Sequence, residues 1–143
     1  MVEKSCGTIP YTVDNGNVYY VLIKTKHNSY CGFPKGHVEG AESEEETALR
    51  ETFEETSLEV QLNRAFRYEI SYQMNNGNIK TVVYFLANFQ NQVPHRNSCF
   101  EDFEYLLLPF SEAVQVLTFE NTRQMLQNAN EFLTCAMKTA SFV

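Results

Sequence analysis

Residues 44–56 (EEETALRETFEET) contain neither glycine nor proline, and extended-type sequence closes in on both sides of them. Ser43 precedes the stretch and Glu46 follows three positions later, the signature of a capping box. A helix is therefore predicted from 44 to about 56, with Ser43 as its N-cap. Upstream, residues 5–13 and 17–25 are rich in β-branched and aromatic side chains and are parted by Asp14-Asn15-Gly16, a hairpin signal. Downstream, residues 58–72 and 78–89 read as a longer hairpin turning at Asn75-Asn76-Gly77. A helix held between two hairpins must cover a sheet with one face, and the rest of the chain has to fit around it.

The remaining punctuation completes the order. Residues 27–37 hold Asn28, Gly32, Pro34 and Gly36 and read as a loop. A short strand is expected over 103–108, then a short helix from Glu112 to about Leu117, with Ser111 available as a cap. Met125, Leu126, Phe132, Leu133 and Met137 recur at helical spacing, so a long amphipathic helix is predicted over 119–139. The order β-β-loop-α-β-β-β-α-α implies an α/β fold in which helices cover a mixed sheet. With 143 residues the chain suits one domain, taken as 1–143, and is too short for two ordinary ones.

Charge and cysteines exclude several function classes. A formal charge of −7 argues against long nucleic acid as a partner, which needs a basic footprint. It leaves room for an anionic small molecule, because a bound divalent ion reverses the local sign. No apolar run approaches the roughly 20 residues that span a bilayer, so no membrane role is expected. The segment MVEKSCGTIP carries no apolar signal core, which predicts a cytoplasmic protein. Cys6, Cys31, Cys99 and Cys135 are scattered without a C-x-x-C pair and read as free thiols.

The acidic helix is the chemical anomaly. At about 100° per residue, Glu51, Glu54 and Glu55 fall within roughly a 100° arc, one turn tall. Leu49 and Phe53 fall on the opposite side, where they are expected to anchor the helix to the sheet. Three close carboxylates raise one another's pKa unless a cation sits among them. An all-oxygen set suits Mg²⁺, or Mn²⁺, better than zinc. The bland alternative is a solvated glutamate face. Against it stand Lys35-Gly36-His37 just before the helix and Arg50 one turn before Glu54, in position to clamp it as an i, i+4 pair.

Gly36, Glu42, Arg50, Glu51, Glu54, Glu55 and Leu58 stand at the spacing G-x5-E-x7-R-E-U-x-E-E-x-G-U. This resembles the signature box of the Nudix hydrolases. The resemblance implies a Nudix fold, with a mixed sheet sandwiched between helices and a loop-helix-loop metal site. It implies hydrolysis of a nucleoside diphosphate linked to another moiety. Carried over by position, Glu51, Glu54 and Glu55 are the metal-ligand candidates, with a backbone group at Lys35 or Gly36 completing the shell. Glu54 and Glu51 are the catalytic candidates within the box. Glu101 is the candidate outside it, with Asp102 its neighbour. Gly36, Glu42 and Arg50 are expected to organise the loop and helix. The glycine of the motif is Ser57 here, a position where a left-handed backbone is convenient and serine costs on the order of 1 kcal/mol.

Beyond the box, FPKGHVEGAESEEETALRETFEET and Lys80-Thr81-Val82-Val83-Tyr84-Phe85-Leu86-Ala87 resemble the asymmetrical diadenosine tetraphosphate hydrolases within that family. Lys35, His37 and Lys80 are then candidate polyphosphate contacts, and Tyr84 either stacks a base or is an ordinary sheet aromatic. The implied substrate is a small nucleotide, cleaved to ATP and AMP with Mg²⁺. Other Nudix substrates and a non-catalytic nucleotide sensor are the alternatives, and oligomeric state is left open. Cys31-Gly32-Phe33 and Gly40-Ala41 stand where this branch commonly has tryptophan and Pro-Gly, and the chain has no tryptophan. Tyr30, Phe33 or Tyr72 is expected to supply the missing aromatic platform.

Overall fold

The structure, a computed structural model, describes residues 2–26, 28–95 and 103–140. Ten elements follow one another: β1 (Val2–Asp14), β2 (Asn17–Thr25), β3 (Cys31–Gly32), β4 (Lys35–His37), α1 (Glu44–Thr56), β5 (Gln61–Gln73), β6 (Ile79–Asn88), β7 (Phe103–Pro109), α2 (Phe110–Val116) and α3 (Glu120–Ala140). All the strands join one mixed sheet. β1 runs parallel to β6 from Val2 against Ile79 to Tyr11 against Asn88, while the other pairings are antiparallel. Asn15 and Gly16 take positive φ in the first turn, as does Gly77 in the second, which is what the hairpin signals required.

The stretch expected to be a loop contains β3 and β4. β1 pairs with β2 only from Tyr11 to Asp14, so the earlier part of β1 has a free edge. There β4 pairs with Ser5, Cys6 and Gly7, and β3 pairs with Ile23 and Lys24 of β2. Gly and Pro mark the bends correctly, but the pairing partners lie far away in sequence. The short helix α2 likewise begins at Phe110, two residues earlier than expected. Its N-cap is Pro109, in extended conformation and without a side-chain cap bond, rather than Ser111.

Helices cover both faces of the sheet. Ile9, Tyr20, Leu22, Val82, Tyr84 and Leu86 pack with Met125, Leu126, Ala129 and Leu133 of α3 in the larger core. The alternate residues Cys6, Val83 and Phe85 pack beneath α1 against Ala48. This is the period-2 alternation of a sheet buried on both sides.

The expected anchoring of α1 through Leu49 and Phe53 is overturned. Both are exposed, at 39% and 45%, and the buried positions are Thr47, Ala48, Thr52 and Thr56. The side chains of Thr8 on β1 and Thr52 share a buried hydrogen bond of 2.7 Å, and Thr56 Oγ1 donates to the Thr52 carbonyl at 2.6 Å. Small residues on this face let the helix approach the sheet closely. Ion pairs secure its start, where Glu44 meets Lys4 of β1 at 2.6 Å and Arg67 of β5 at 2.8 Å.

The ends of α1 follow the sequence. Ser43 and Glu46 form the reciprocal capping box. Ser57 is the C-cap with φ +62°, the left-handed conformation for which the family motif supplies glycine, and its buried Oγ has no hydrogen-bond partner. Ser57→Gly removes both penalties. It is expected to stabilise the protein by about 1 kcal/mol, raising Tm by roughly 3 °C in thermal melts. A lower Tm would show that the serine has a structural task.

The pairs at Glu44 also set an acid response. Arg67, by hydrogen bonds, and Lys4 hold its carboxyl down to about 2, below the ordinary 4.5. A carboxylate depressed on folding stabilises above its unfolded pKa and loses that contribution as pH falls through its folded one. Stability measured in denaturant should fall between pH 4.5 and about 2, and Arg67→Ala should flatten that fall.

Candidate active site

Three-residue β4 delivers neighbouring residues to opposite faces of the sheet. Gly36, opposite Cys6, turns toward α1, and the Glu51 carboxylate lies directly on it. A Cβ at position 36 would come within 2.0 Å of Glu51 Cδ. Lys35 turns toward the other face. Its backbone N–H donates to Glu55 Oε1 at 2.9 Å, so β4 touches both carboxylates. Burial, ahead of every other cause, raises the pKa of Glu51, and Arg50 opposes the rise.

Arg50 organises the acids. Its Nε and Nη2 donate to the two oxygens of Glu42 at 2.7 and 3.0 Å, a fork-to-fork pair. Nη1 reaches Glu51 Oε1 at 2.8 Å and both Glu54 oxygens at 3.2 and 3.3 Å. Nη2 also donates to the His37 carbonyl at 3.0 Å. Arg50 above all, with the Glu39 backbone and Thr47, holds Glu42 down to about 2. The loop before the helix is thus tied to the helix by one guanidinium.

These bonds bear on metal fit. Among the described residues no trio of His, Cys, Asp or Glu side chains converges closely enough to enclose an ion, and Glu51 and Glu54 are both bonded to Arg50. The donor set nevertheless suits a hard divalent cation. Glu51, Glu54 and Glu55 offer carboxylate oxygens, and the half-buried Glu51 has a raised pKa that a cation would relieve. Glu54 is the loosest of the three, with 55% exposure and the longest bonds to Arg50. Glu101 and Asp102 lie outside the described residues. Tyr105 of β7 donates its hydroxyl to the Glu55 carbonyl at 2.5 Å and steadies the end of α1.

On the other face, Lys35, Tyr72, Val82 and Tyr84 bound a cavity of about 340 Å³, within the range of small-molecule sites. Burial first, then Lys80, lowers the Lys35 pKa, and Lys80 pairs across the strands with Tyr72. Tyr84 is 2% exposed and forms part of the cavity floor, edge-on to Phe33 at 6.4 Å between ring centroids. The exposed aromatics at the cavity are Tyr72, at 43%, and Phe119, at 54%. Tyr30 completes the wall, its ring 5.7 Å from that of Phe119. Tyr30 also closes over Gly32, where a Cβ would meet its hydroxyl at 2.1 Å. A second cavity, of about 260 Å³, lies beyond Tyr30 and Lys35 and is bounded by Thr25, Glu55 and Phe103. His37 is exposed and lines neither cavity, its Nε2 3.6 Å from Glu3 Oε1.

Of the residues singled out in the sequence, Glu51 and Glu55 lie against β4, Lys35 and Tyr84 line the cavity, and Lys80 on β6 stands opposite Tyr72. Sequence reasoning missed Phe119 and Asn121, which enter from the loop before α3 and from its first turn. The Cys31 N–H donates to Thr118 Oγ1 at 2.7 Å and the Thr118 N–H to the Cys31 carbonyl at 3.1 Å, pinning that loop to β3. Local sequence carries no signal of this contact.

A mixed sheet between helices, with a carboxylate-rich helix entered from a glycine strand, defines a Nudix-type hydrolase. The chain belongs to the Nudix family, whose domain model matches residues 7–129. It is 33% identical to the asymmetrical bis(5′-nucleosyl)-tetraphosphatase of Rattus norvegicus over 143 aligned residues, covering 93% of this chain and 97% of the relative. The Sus scrofa protein of the same name is 32% identical, with 96% and 99% covered. The fold matches the Ap4A hydrolase binary complex of C. elegans with a TM-score of 0.83 at 22% identity, over 92% of this chain and 98% of that one. The protein is a hydrolase acting on phosphoanhydride bonds. Nudix hydrolases generally use divalent metal ions. Among the described residues no helix is long and apolar enough to cross a membrane.

Gly36→Ala tests the contact between β4 and α1. The added methyl has to displace the Glu51 carboxylate, so hydrolysis is expected to fall at least about tenfold, with Tm little changed. Activity near wild type would mean that the position of Glu51 on Gly36 is dispensable.

Proposed function

We propose that this protein is an asymmetrical dinucleoside tetraphosphate hydrolase, cleaving diadenosine tetraphosphate to ATP and AMP with Mg²⁺, or Mn²⁺ in its place. One observation carries the reading: Lys35 stands where the aromatic cavity meets the carboxylate face of α1, contacting Glu55 through its backbone and lining the cavity with its side chain. A substrate combining base and polyphosphate needs that junction. In this reading the aromatic cavity takes one adenine, with Tyr72 and Phe119 as stacking faces and Tyr84 as floor. Lys35, Lys80 and His37 meet the phosphates, and the second cavity, beyond Tyr30, receives the rest of the substrate.

Glu51 and Glu55 would hold a divalent ion, with Glu54 as a further ligand or as the group that takes the proton from water. The ion, when bound, neutralises phosphate charge and lowers the pKa of the attacking water. Arg50 keeps Glu51 and Glu54 on one side of the helix, and Gly36 allows Glu51 to lie against the strand. Glu54 is the most open to solvent of the Arg50-bound acids of α1, with a side chain 55% exposed. Glu101 is the other candidate for taking the proton from water. Water adds to phosphorus as the bridging P–O bond breaks, and the leaving nucleotide carries away the bridging oxygen. We further read residues 1–143 as one Nudix domain acting on a small nucleotide, in agreement with the net charge of −7. A cytoplasmic setting agrees with the buried free thiols Cys6 and Cys31.

Product analysis tests this directly. Equal ATP and AMP from diadenosine tetraphosphate with Mg²⁺, formed faster than products from a nucleotide sugar or a nucleoside triphosphate, is the expected result. Glu55→Gln should lower turnover at least about 100-fold while nucleotide binding persists. Faster turnover of another member of that panel would keep the hydrolase and discard the substrate.

A further inference from the structure

A nucleobase in the aromatic cavity would be held by its faces, and faces do not tell one base from another. Stacking is tolerant because every base has a π-face. Discrimination needs hydrogen-bonding groups at the ring edge. Little of the cavity lining provides them in a fixed pattern: Ile70 and Val82 are apolar, Thr122 already donates its hydroxyl to the Phe119 carbonyl at 2.8 Å, and the hydroxyls of Tyr30, Tyr72 and Tyr84 each rotate to donate or to accept. Lys35 belongs to the junction with the carboxylates, near Lys80, Glu55 and Glu51.

Asn121 is different. It sits in the first turn of α3, beside Phe119 in the lining of the cavity, and is exposed to the solvent that a ligand would displace. Among the described residues its side-chain amide has no hydrogen-bond partner, although most polar side chains around it do. An amide presents one acceptor and two donors in a plane. Adenine offers a matching pair, an amino donor beside a ring-nitrogen acceptor, and Asn is a known geometric complement of that pair.

We propose that Asn121 is the residue that selects adenine in the aromatic cavity, its carboxamide pairing with the amino group and N7 of the stacked base, the edge on which guanine presents two acceptors. This rests on the dinucleotide reading above. The position suits the task for a second reason. α3 packs on the sheet face that carries Tyr84 and Val82, so its first turn stands across the cavity from the strands. The base is thus met by strands on one side and by Phe119 and Asn121 on the other. The loop before α3 is pinned to β3 through Thr118 and Cys31, and Arg123 Nη1 donates to the Leu117 carbonyl at 2.6 Å, so the amide is presented from a fixed backbone.

The test compares kcat and KM for diadenosine and diguanosine tetraphosphate in wild type, Asn121→Ala and Asn121→Asp. A carboxylate accepts but cannot donate, so it meets the adenine ring nitrogen with a repelling lone pair, whereas the guanine Watson–Crick edge offers it two donors. Wild type should prefer the adenine substrate. Asn121→Ala should raise KM for that substrate by about tenfold, leave kcat nearly unchanged and erase the preference. Asn121→Asp should shift the preference toward guanine. An unchanged preference, or equal losses on both substrates in both variants, would overturn the assignment of Asn121 while leaving the hydrolase reading intact. Failure of wild type to cleave either dinucleotide, with turnover of another nucleotide, would overturn that reading and this inference with it. Asn121 is exposed at a helix start, and equal Tm values across the three proteins would confirm that folding is not what changed.

Discussion

Arg50 is the interaction on which the rest of the site depends. Seven glutamates lie between positions 42 and 55, and a helix that crowded with like charge is self-repelling. A guanidinium has five N–H donors in a fixed fork. Here that fork grips Glu42 with two groups, turns a third toward Glu51 and Glu54, and reaches back to the His37 carbonyl. The partners span both sides of the turn at Gly40, so one side chain closes the loop onto the helix. Lysine could not substitute, since a point charge cannot take Glu42 by both oxygens while holding Glu51.

How much of this was legible in the sequence depends on the range of the interaction. The capping box, the hairpin turns and the left-handed backbone at Ser57 are set by neighbours within a few residues, and reading them needed only the string. The strands β3 and β4 were hidden because their partners are the free edges of β1 and β2, which exist only once those strands have parted. The orientation of α1 was hidden for a different reason. Amphipathic reading assumes that the apolar face goes inward, and by that rule Leu49 and Phe53 belonged on the sheet.

The sheet instead receives threonines and an alanine, and the chemistry explains why. Glu51 must lie against the strand that carries Gly36, so the acidic side of the helix has to turn toward the sheet with it. Thr47, Ala48, Thr52 and Thr56 are small enough to permit that approach, and each buried hydroxyl needs a partner. Thr52 finds one in Thr8, and Thr56 in the carbonyl one turn back. The result violates local hydrophobic patterning at the one helix where position outweighs burial, which is where such violations concentrate.

The same logic explains the economy of β4. A strand alternates its side chains between faces, so consecutive residues at 35 and 36 serve opposite sides of the sheet. Gly36 admits the carboxylate of α1 on one side, and Lys35 lines the aromatic cavity on the other. No bridging loop is needed to join the two, because the backbone between them is a single peptide unit. The arrangement is also brittle. A one-residue slip of β4 against β1 would exchange the faces, setting a lysine against Glu51 and opening a gap in the cavity wall. Register here decides which face each residue serves, and the pairing of Ser5, Cys6 and Gly7 with β4 is what fixes it.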